Sequence, residues 1–584
     1  KKYLGGYSRM KSNKLFWLFA LMLSLMLVLA ACAGSDDDVD PKDNDEDKTS
    51  DNNNDDNTDD ENTSDDGEDH IIIATNSDIV DLDPHGSNDV PSSNVRNNIY
   101  DTLVYQTPEL ELVPSLAKSW EQLDELTWVF ELRDDVVFHD GSKFNAEVVK
   151  ANFDRVLDPL VGSARSFLFS VITDVEVLDE YKVQIKTEYP FAPLLAHLAH
   201  DGGGMLSKEA IEKDYENAFK EAGVSREELE ALKDEDEEEY EEKLAIVQET
   251  LGQYVTLNPA GTGPFKLESR TPGEQLTLAR FDDHWGEKAK ADKITFKVVG
   301  ERSTRIAEIE AGTSHIIDNI GSENVEQLEA NENVTVHYQD SVSLNYIGFN
   351  MNKEPFDNKL VRQAISWAID GNVIVDGILD GYGLAAKGPL APDVFGYDES
   401  IEGIGYDIDK AKELLAEAGY ADGFKTTIWT NDNADRVYIA EYVQQALKEL
   451  NIEVEIQELE WGTYLDRTAN GEHDMFILGW STVTADADYG LYALFHSSAH
   501  GDTGNRSFMS NDELDDLLDK GRAEIDPEKR FEYYYRAQEI IVDEAPMVFI
   551  NHTQYLNAYS NEVTGFDVNP LGIFQLRNAT TKGN

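Results

Sequence analysis

The chain has 584 residues, 41% of them hydrophobic and 10% aromatic, which is ample for a core of about three to four domain-sized units and excludes a mostly disordered chain. Its 115 acidic residues against 49 basic ones give a net charge of -66, which repels phosphate backbones and excludes a nucleic-acid role. Spread along the whole sequence, that charge reads as a carboxylate surface suited to high salt, like that of a halophile, where it is screened and stays soluble.

From Met10, read as the initiator, the chain carries Lys11 and Lys14 and then an almost unbroken apolar run from Leu15 to Ala31. The small residues Ala30 and Ala31 precede Cys32, which is the layout of a signal peptide. Leu29-Ala30-Ala31-Cys32 resembles the bacterial lipobox, so Cys32, the sole cysteine, is the expected lipidation site. With one thiol, no internal disulfide is possible. More than one acyl chain is needed for stable anchoring, and a lipoprotein terminus supplies them. Residues 36–70 are almost wholly polar and acidic, too poor in apolar groups to offset ordering entropy, and are expected to form an extended tether.

The folded body is expected to open with the strand Ile71–Ala74, followed by a helix over Ser93–Val104 capped by Ser92 or Ser93. Leu126–Val137 alternates like hairpin strands, Asn145–Leu157 has one apolar helical face, and Thr173–Lys186 is a hairpin around Asp179-Glu180. A strongly acidic helical insert spans about 207–252. Pro259–Pro264 reads as a tight turn, with strands at 265–279 and 293–299. From Arg302 onward helices and strands alternate through Gly479, which marks an α/β domain. Helices at 512–521 and 527–544 and a strand-rich close at 549–566 complete the chain.

The sequence holds few residues at catalytic or metal-binding spacings. The 12 histidines are scattered, without H-E-x-x-H or a cysteine cluster, so no metal is implied. There is no G-x-G-x-x-G after a strand, no G-x-x-x-x-G-K-[ST] and no G-x-S-x-G elbow, so neither nucleotide, other cofactor nor hydrolase chemistry is indicated. Gly202-Gly203-Gly204 and Gly261-Thr262-Gly263 read as turns. The pattern suits a binder, not an enzyme.

Several runs carry a family resemblance. They include Pro114-Ser115-Leu116-Ala117, Ser119-Trp120, Leu126-Thr127-Trp128 and Val137-Phe138-His139-Asp140-Gly141. Further along come Gly261-Thr262-Gly263-Pro264-Phe265, Gly348-Phe349-Asn350, Val361-Arg362-Gln363-Ala364-Ile365 and Gly479-Trp480 followed by Asp486-Ala487-Asp488. In this order, from about 71 to 566, the chain resembles the family 5 extracellular solute-binding proteins that serve ABC importers of oligopeptides and dipeptides.

The resemblance implies an α/β, two-lobed periplasmic-binding-protein-like fold of type II, with an extra domain and the ligand in the interlobe cleft. Mapped here, lobe I holds 71–113, 257–342 and 551–584, the extra domain 114–256, and lobe II 343–550. It implies a monomer that captures a peptide and hands it to a permease, and through it to ATPase subunits. The cellular place implied is the outer face of the cytoplasmic membrane. Non-peptide solutes such as nickel chelates, haem, sugars or opines are the alternative, as is a signalling or chaperone-like surface role.

Members commonly pair the peptide's ammonium with an aspartate after the Gly-Trp pair, since a buried cation must be paired. Here the position three residues after Trp480 is Val483, which leaves Asp486 and then Asp488 as candidates and leaves room for glutathione-like peptides. Trp480, Tyr489 and Asn350 are candidate cleft residues, and Arg506 is a candidate for a carboxylate terminus. Arg362, His139 and Trp128 are read as scaffold.

Overall fold

A computed structural model describes residues 67–582 apart from 88, 502 and 503; the leader, Cys32 and the tether as far as residue 66 lie outside the described residues. The first strand, β1 (His70–Thr75), buries Ile71 and Ile73. It is parallel to both of its neighbours, which is why it reads as a continuous apolar run. The folded body reaches back to Asp69, inside the stretch expected as tether. Its backbone N–H donates to Asp292, and its carboxylate accepts from the Thr580 hydroxyl and from Thr581. The next helix runs Val90–Ile99, not 93–104. Asp89 accepts from the Ser92 N–H as its cap, and Pro91 is tolerated in the first turn, where N–H groups have no helical partner.

A short hairpin, β2 (Val104–Gln106) and β3 (Leu112–Pro114), leads to β4 (Ala117–Asp124), β5 (Thr127–Leu132), β6 (Ile172–Asp179) and β7 (Lys182–Thr187). These form a separate antiparallel sheet in the order β4-β5-β7-β6. Residues 126–137 are therefore not a hairpin of their own; β5 pairs back to β4 and forward to β7. Val149 and Phe153 of the helix Ala146–Val156 share this sheet's core. The acidic insert is three helices, Lys208–Ala222, Arg226–Glu235 and Glu237–Thr250, capped by Ser207, Ser225 and Asp236. Its small core of Ala218, Ala222, Leu229 and Val247 leaves most of its acids exposed.

With β1, the following strands build one large sheet: β8 (Phe265–Thr271), β9 (Gln275–Arg280), β10 (Lys293–Val298), β11 (Ile316–Ile317), β12 (Val334–Asp340), β13 (Ser343–Phe349), β14 (Gly383–Ala385), β15 (Lys425–Asn431), β16 (Glu453–Leu459), β17 (Met475–Ser481) and β18 (Met547–Ser560), while Asp567–Val568 and Phe574–Gln575 pair apart from it. The hydrogen-bonded path is β16-β15-β17-β13-β18-β11-β1-β10-β9-β8, with β12 and β14 also on β18. One lobe holds β1 and β8–β12, the other β13–β17. β18 is 14 residues long and belongs to both. Along one edge it pairs first with β13 and then with β12, so two continuous paired strands cross between the lobes. The crossing is stitched by Ser341 N–H to Thr553 O at 2.9 Å and by Gln554 Nε2 to Asp340 Oδ1 at 2.7 Å. A register shift beside Asn345 supplies the local bend.

Several histidines sit in surroundings that favour the neutral ring. Burial, the largest cause, pushes His85, His200 and His473 down to about 3 and His139 down to about 4. The His473 Nε2–H donates to the Arg506 carbonyl at 3.1 Å. In the unfolded chain each ring titrates near 6.5, so the unfolded state gains protons first and stability falls as pH drops below that value. The slope is about 1.4 kcal/mol per pH unit for each ring. The melting temperature is therefore expected to fall from pH 7 to pH 5, with a shallower slope in His473→Gln. Parallel slopes in the two proteins, measured by thermal unfolding at several pH values, would remove this account.

Candidate ligand cleft

Strand directions locate the cleft. β11 is antiparallel to β18 and parallel to β1, so the carboxyl ends of the parallel strands in the first lobe point towards the crossing. β17 and β15 run parallel to the same end of β18 through β13, so their carboxyl ends point at the crossing from the other side. Ligands of open α/β sheets bind in the crevice outside such ends, at the point where the connections change face.

In the first lobe that crevice is a cavity of ≈ 510 Å³, lined by Thr75, Asn76, Ser77, Asp318 and the crossing residues Thr553–Asn557. Asp318 sits at the end of β11, accepts from the Asn76 N–H at 2.9 Å and lies 3.3 Å from Arg305 Nε. Burial nevertheless pushes its carboxyl up to about 6.

In the second lobe the helix Ala434–Leu447, linking β15 to β16, packs with Ile428 on one sheet face. The helix Trp461–Ala469, linking β16 to β17, packs through Tyr464 with Trp429 on the other face. The connections thus change face between β15 and β17. Arg436 lies beside the end of β15: Nη1 donates to Asn431 Oδ1 at 3.0 Å, and its guanidinium lies 5.6 Å from the Trp461 ring. A Cβ added to Gly479 would sit 3.0 Å from Asn345 Oδ1 and 3.4 Å from Arg436 Nη2, so the glycine makes room chiefly for the Asn345 amide.

The structure brings together two of the expected residues. Trp480, near the end of β17, lies 5.4 Å from Tyr489, and Tyr489 lies 6.1 Å from Phe167 of the extra domain. The Trp480 Nε1–H is buried and has no acceptor among the described residues. Burial pushes the Tyr489 phenol up to about 12. Two more contacts tie the halves near this seam: Gln106 Nε2 to Thr484 O at 3.4 Å and the Ala192 N–H to Arg522 O at 2.9 Å.

The aspartates stand differently from expectation. The segment after Gly479-Trp480 turns into the helix Ala487–Phe495, with Asp486 as its cap. Asp486 is bound by both Arg530 Nη atoms at 2.9 Å. Asp488 is bound by Arg522 at 2.9 and 3.0 Å. Each carboxylate thus already carries a guanidinium partner. Asn350 follows the end of β13 that pairs with the start of β17, away from the crevice, and its amide donates to Gly471 O and His473 O. Arg506 is 8% exposed and donates from Nε to Thr468 Oγ1 at 3.2 Å. The expectation missed Arg436. Its signal was a cation in the first turn of a helix, where the helix dipole disfavours positive charge. Among the described residues no group of His, Cys, Asp and Glu could hold a metal ion.

Residues 111–502 match the sequence profile of the bacterial extracellular solute-binding proteins, family 5. The chain is 30% identical over 518 residues to the glutathione-binding protein of Escherichia coli, covering 87% of this chain and 94% of that one. It is similar to the Helicobacter pylori periplasmic binding protein DppA in complex with the peptide STSA, at 31% identity and a TM-score of 0.68, covering 87% and 98% of the two chains. It is also similar to a Pseudoalteromonas dipeptide-binding protein in complex with Met-Leu, at 26% identity and a TM-score of 0.70, covering 87% and 99%.

Proposed function

Because the chain belongs to the family 5 bacterial extracellular solute-binding proteins, we propose that it captures peptides outside the cytoplasmic membrane and delivers them to the permease and ATPase subunits of an ABC importer. The observation that carries this reading is the pair of carboxyl-end crevices pointing at one another across two paired crossing strands. Such a hinge lets two lobes close on a ligand, and closure changes the surface offered to a partner. No bond-making step is required.

In this reading Trp480 and Tyr489 give the ligand a broad aromatic wall at low entropy cost, and the Trp480 Nε1–H donates to a ligand carbonyl. Cys32 carries the lipid anchor, and the lobe boundaries fall at 113/114, 256/257, 342/343 and 550/551. The fold and the relatives that bind glutathione, STSA and Met-Leu support a short peptide as ligand. Native mass spectrometry of the purified protein, with co-purified ligand released and fragmented, tests the proposal. A set of short peptide masses is expected. A single non-peptide mass would replace the peptide by another solute.

A further inference from the structure

Away from the crossing strands the extra domain meets the second lobe at Arg522, in the last turn of the helix Asp512–Ala523. Within its own lobe the guanidinium is held twice. Asp488 accepts from Nε and Nη2 at 2.9 and 3.0 Å, and Cζ lies 3.3 Å from the centre of the Tyr492 ring. From the extra domain come Tyr189 and Phe191, in the segment that follows β7, with ring centres 5.9 and 5.6 Å from the guanidinium. The Ala192 N–H donates to the Arg522 carbonyl at 2.9 Å. The two rings meet edge-on, and Phe191 also packs edge-on against His197, so the segment is braced inside the extra domain.

Every partner in this set belongs to the chain itself. A guanidinium that keeps its carboxylate still gains from aromatic faces brought against it, by about 2- to 5-fold in an equilibrium at an exposed site and up to about 30-fold where water is excluded. The Arg522 side chain is 15% exposed, and Phe191 is buried. Parting the two halves would return the Phe191 face to water and separate the Ala192 N–H from the Arg522 carbonyl. Asp488 immediately precedes Tyr489, which packs on the extra domain's core and lies against Trp480. The residue that meets the extra domain therefore also holds the helical turn that carries the aromatic wall.

We propose that Arg522 is a positioning residue for closure: it latches segment 189–192 to the second lobe, keeps Tyr489 and Trp480 over the ligand, and so sets how long a bound ligand stays. The latch rests on the two-lobed capture reading above, and it adds to closure a contact that the ligand does not make.

The test loads wild type, Arg522→Lys and Tyr189→Ala with a randomised tetrapeptide mixture, dilutes them, and follows the bound fraction in time by native mass spectrometry. Arg522→Lys keeps the charge but loses the planar face and the two-pronged pair, and is expected to release peptide about 5- to 30-fold faster. Tyr189 is exposed and stands on the opposite half from Asp488 and Tyr492. Its alanine variant is expected to release peptide about 2- to 5-fold faster. Association is expected to keep its rate or quicken in both variants, because encounter uses the open form. A purely structural arginine would lower the melting temperature of Arg522→Lys and leave release from Tyr189→Ala unchanged; that result overturns the latch, as does slower association with unchanged release. If wild type retains no peptide, the peptide reading fails and hydrogen exchange decides the latch. Slower exchange at the Ala192 amide in wild type than in both variants keeps it, and equal exchange overturns it.

Discussion

Asp214→Ala is expected to destabilise the folded body by about 3–5 kcal/mol, the range for breaking a fully buried ion pair from one side. Asp214 is fully buried on the first helix of the acidic insert, and its carboxylate accepts from Arg155 Nη2 at 2.9 Å. It also accepts from the Gly252 and Tyr254 N–H groups, which close the insert. Arg155 in turn holds Asp83, near β1, at 2.9 and 2.6 Å and meets His85 at 2.9 Å. One cluster therefore ties the insert, the extra domain and the first lobe. Alanine would leave two N–H donors without their acceptor and remove half of the charge facing Arg155. Urea unfolding monitored by tryptophan fluorescence measures the loss. A change below about 0.5 kcal/mol, the ordinary effect of a surface substitution, would show that the cluster is not a tie.

Arg530→Met is expected to cost a similar amount, about 3–5 kcal/mol, and also to weaken ligand binding. Its guanidinium holds both oxygens of Asp486, donates to Gly521 O and to the Tyr534 hydroxyl, and lies 4.9 Å from the Phe395 ring. Without it Asp486 is a buried carboxylate at the start of the helix that carries Tyr489. The double variant Arg530→Met with Asp486→Asn removes that stranded charge, so it is expected to recover part of the stability. Thermal unfolding and peptide titration of the three variants give the cycle. A double variant whose loss equals the sum of the single losses would mean that the two residues do not act as a pair.

Much of the architecture was legible because the physics was local. The helices Ala146–Val156, Lys359–Ala368 and Ile408–Glu417 show their apolar stripes and caps in sequence, and β6 and β7 show their alternation around Asp179-Glu180. What was not legible depended on distant partners. β11 has two residues and exists only because β1 and β18 flank it. The helix Ala487–Phe495 was not among the expected elements, because it begins at a capping aspartate, a residue type equally suited to binding a cation. Asp486 and Asp488 were identified by residue type and position, but their arginines lie 44 and 34 positions away, at a distance no local pattern reports. Arg436 escaped notice for a similar reason: the sequence does not show that its side chain meets the neutral amide of Asn431 and not a carboxylate.

The clasp between Asp69 and Thr580–Thr581 bears on how the molecule can be rewired. The start and finish of the described fold meet in one lobe, so joining them with a short linker would strain no strand. New termini could then be opened between the solvent-facing helices Arg226–Glu235 and Glu237–Thr250. Such a circular permutant would keep every partner of β18 while changing the order in which the lobes are synthesised. The cleft is thus a property of strand pairing and not of covalent order, and a reporter domain inserted at the same exposed junction would ride on the extra domain without crossing the hinge.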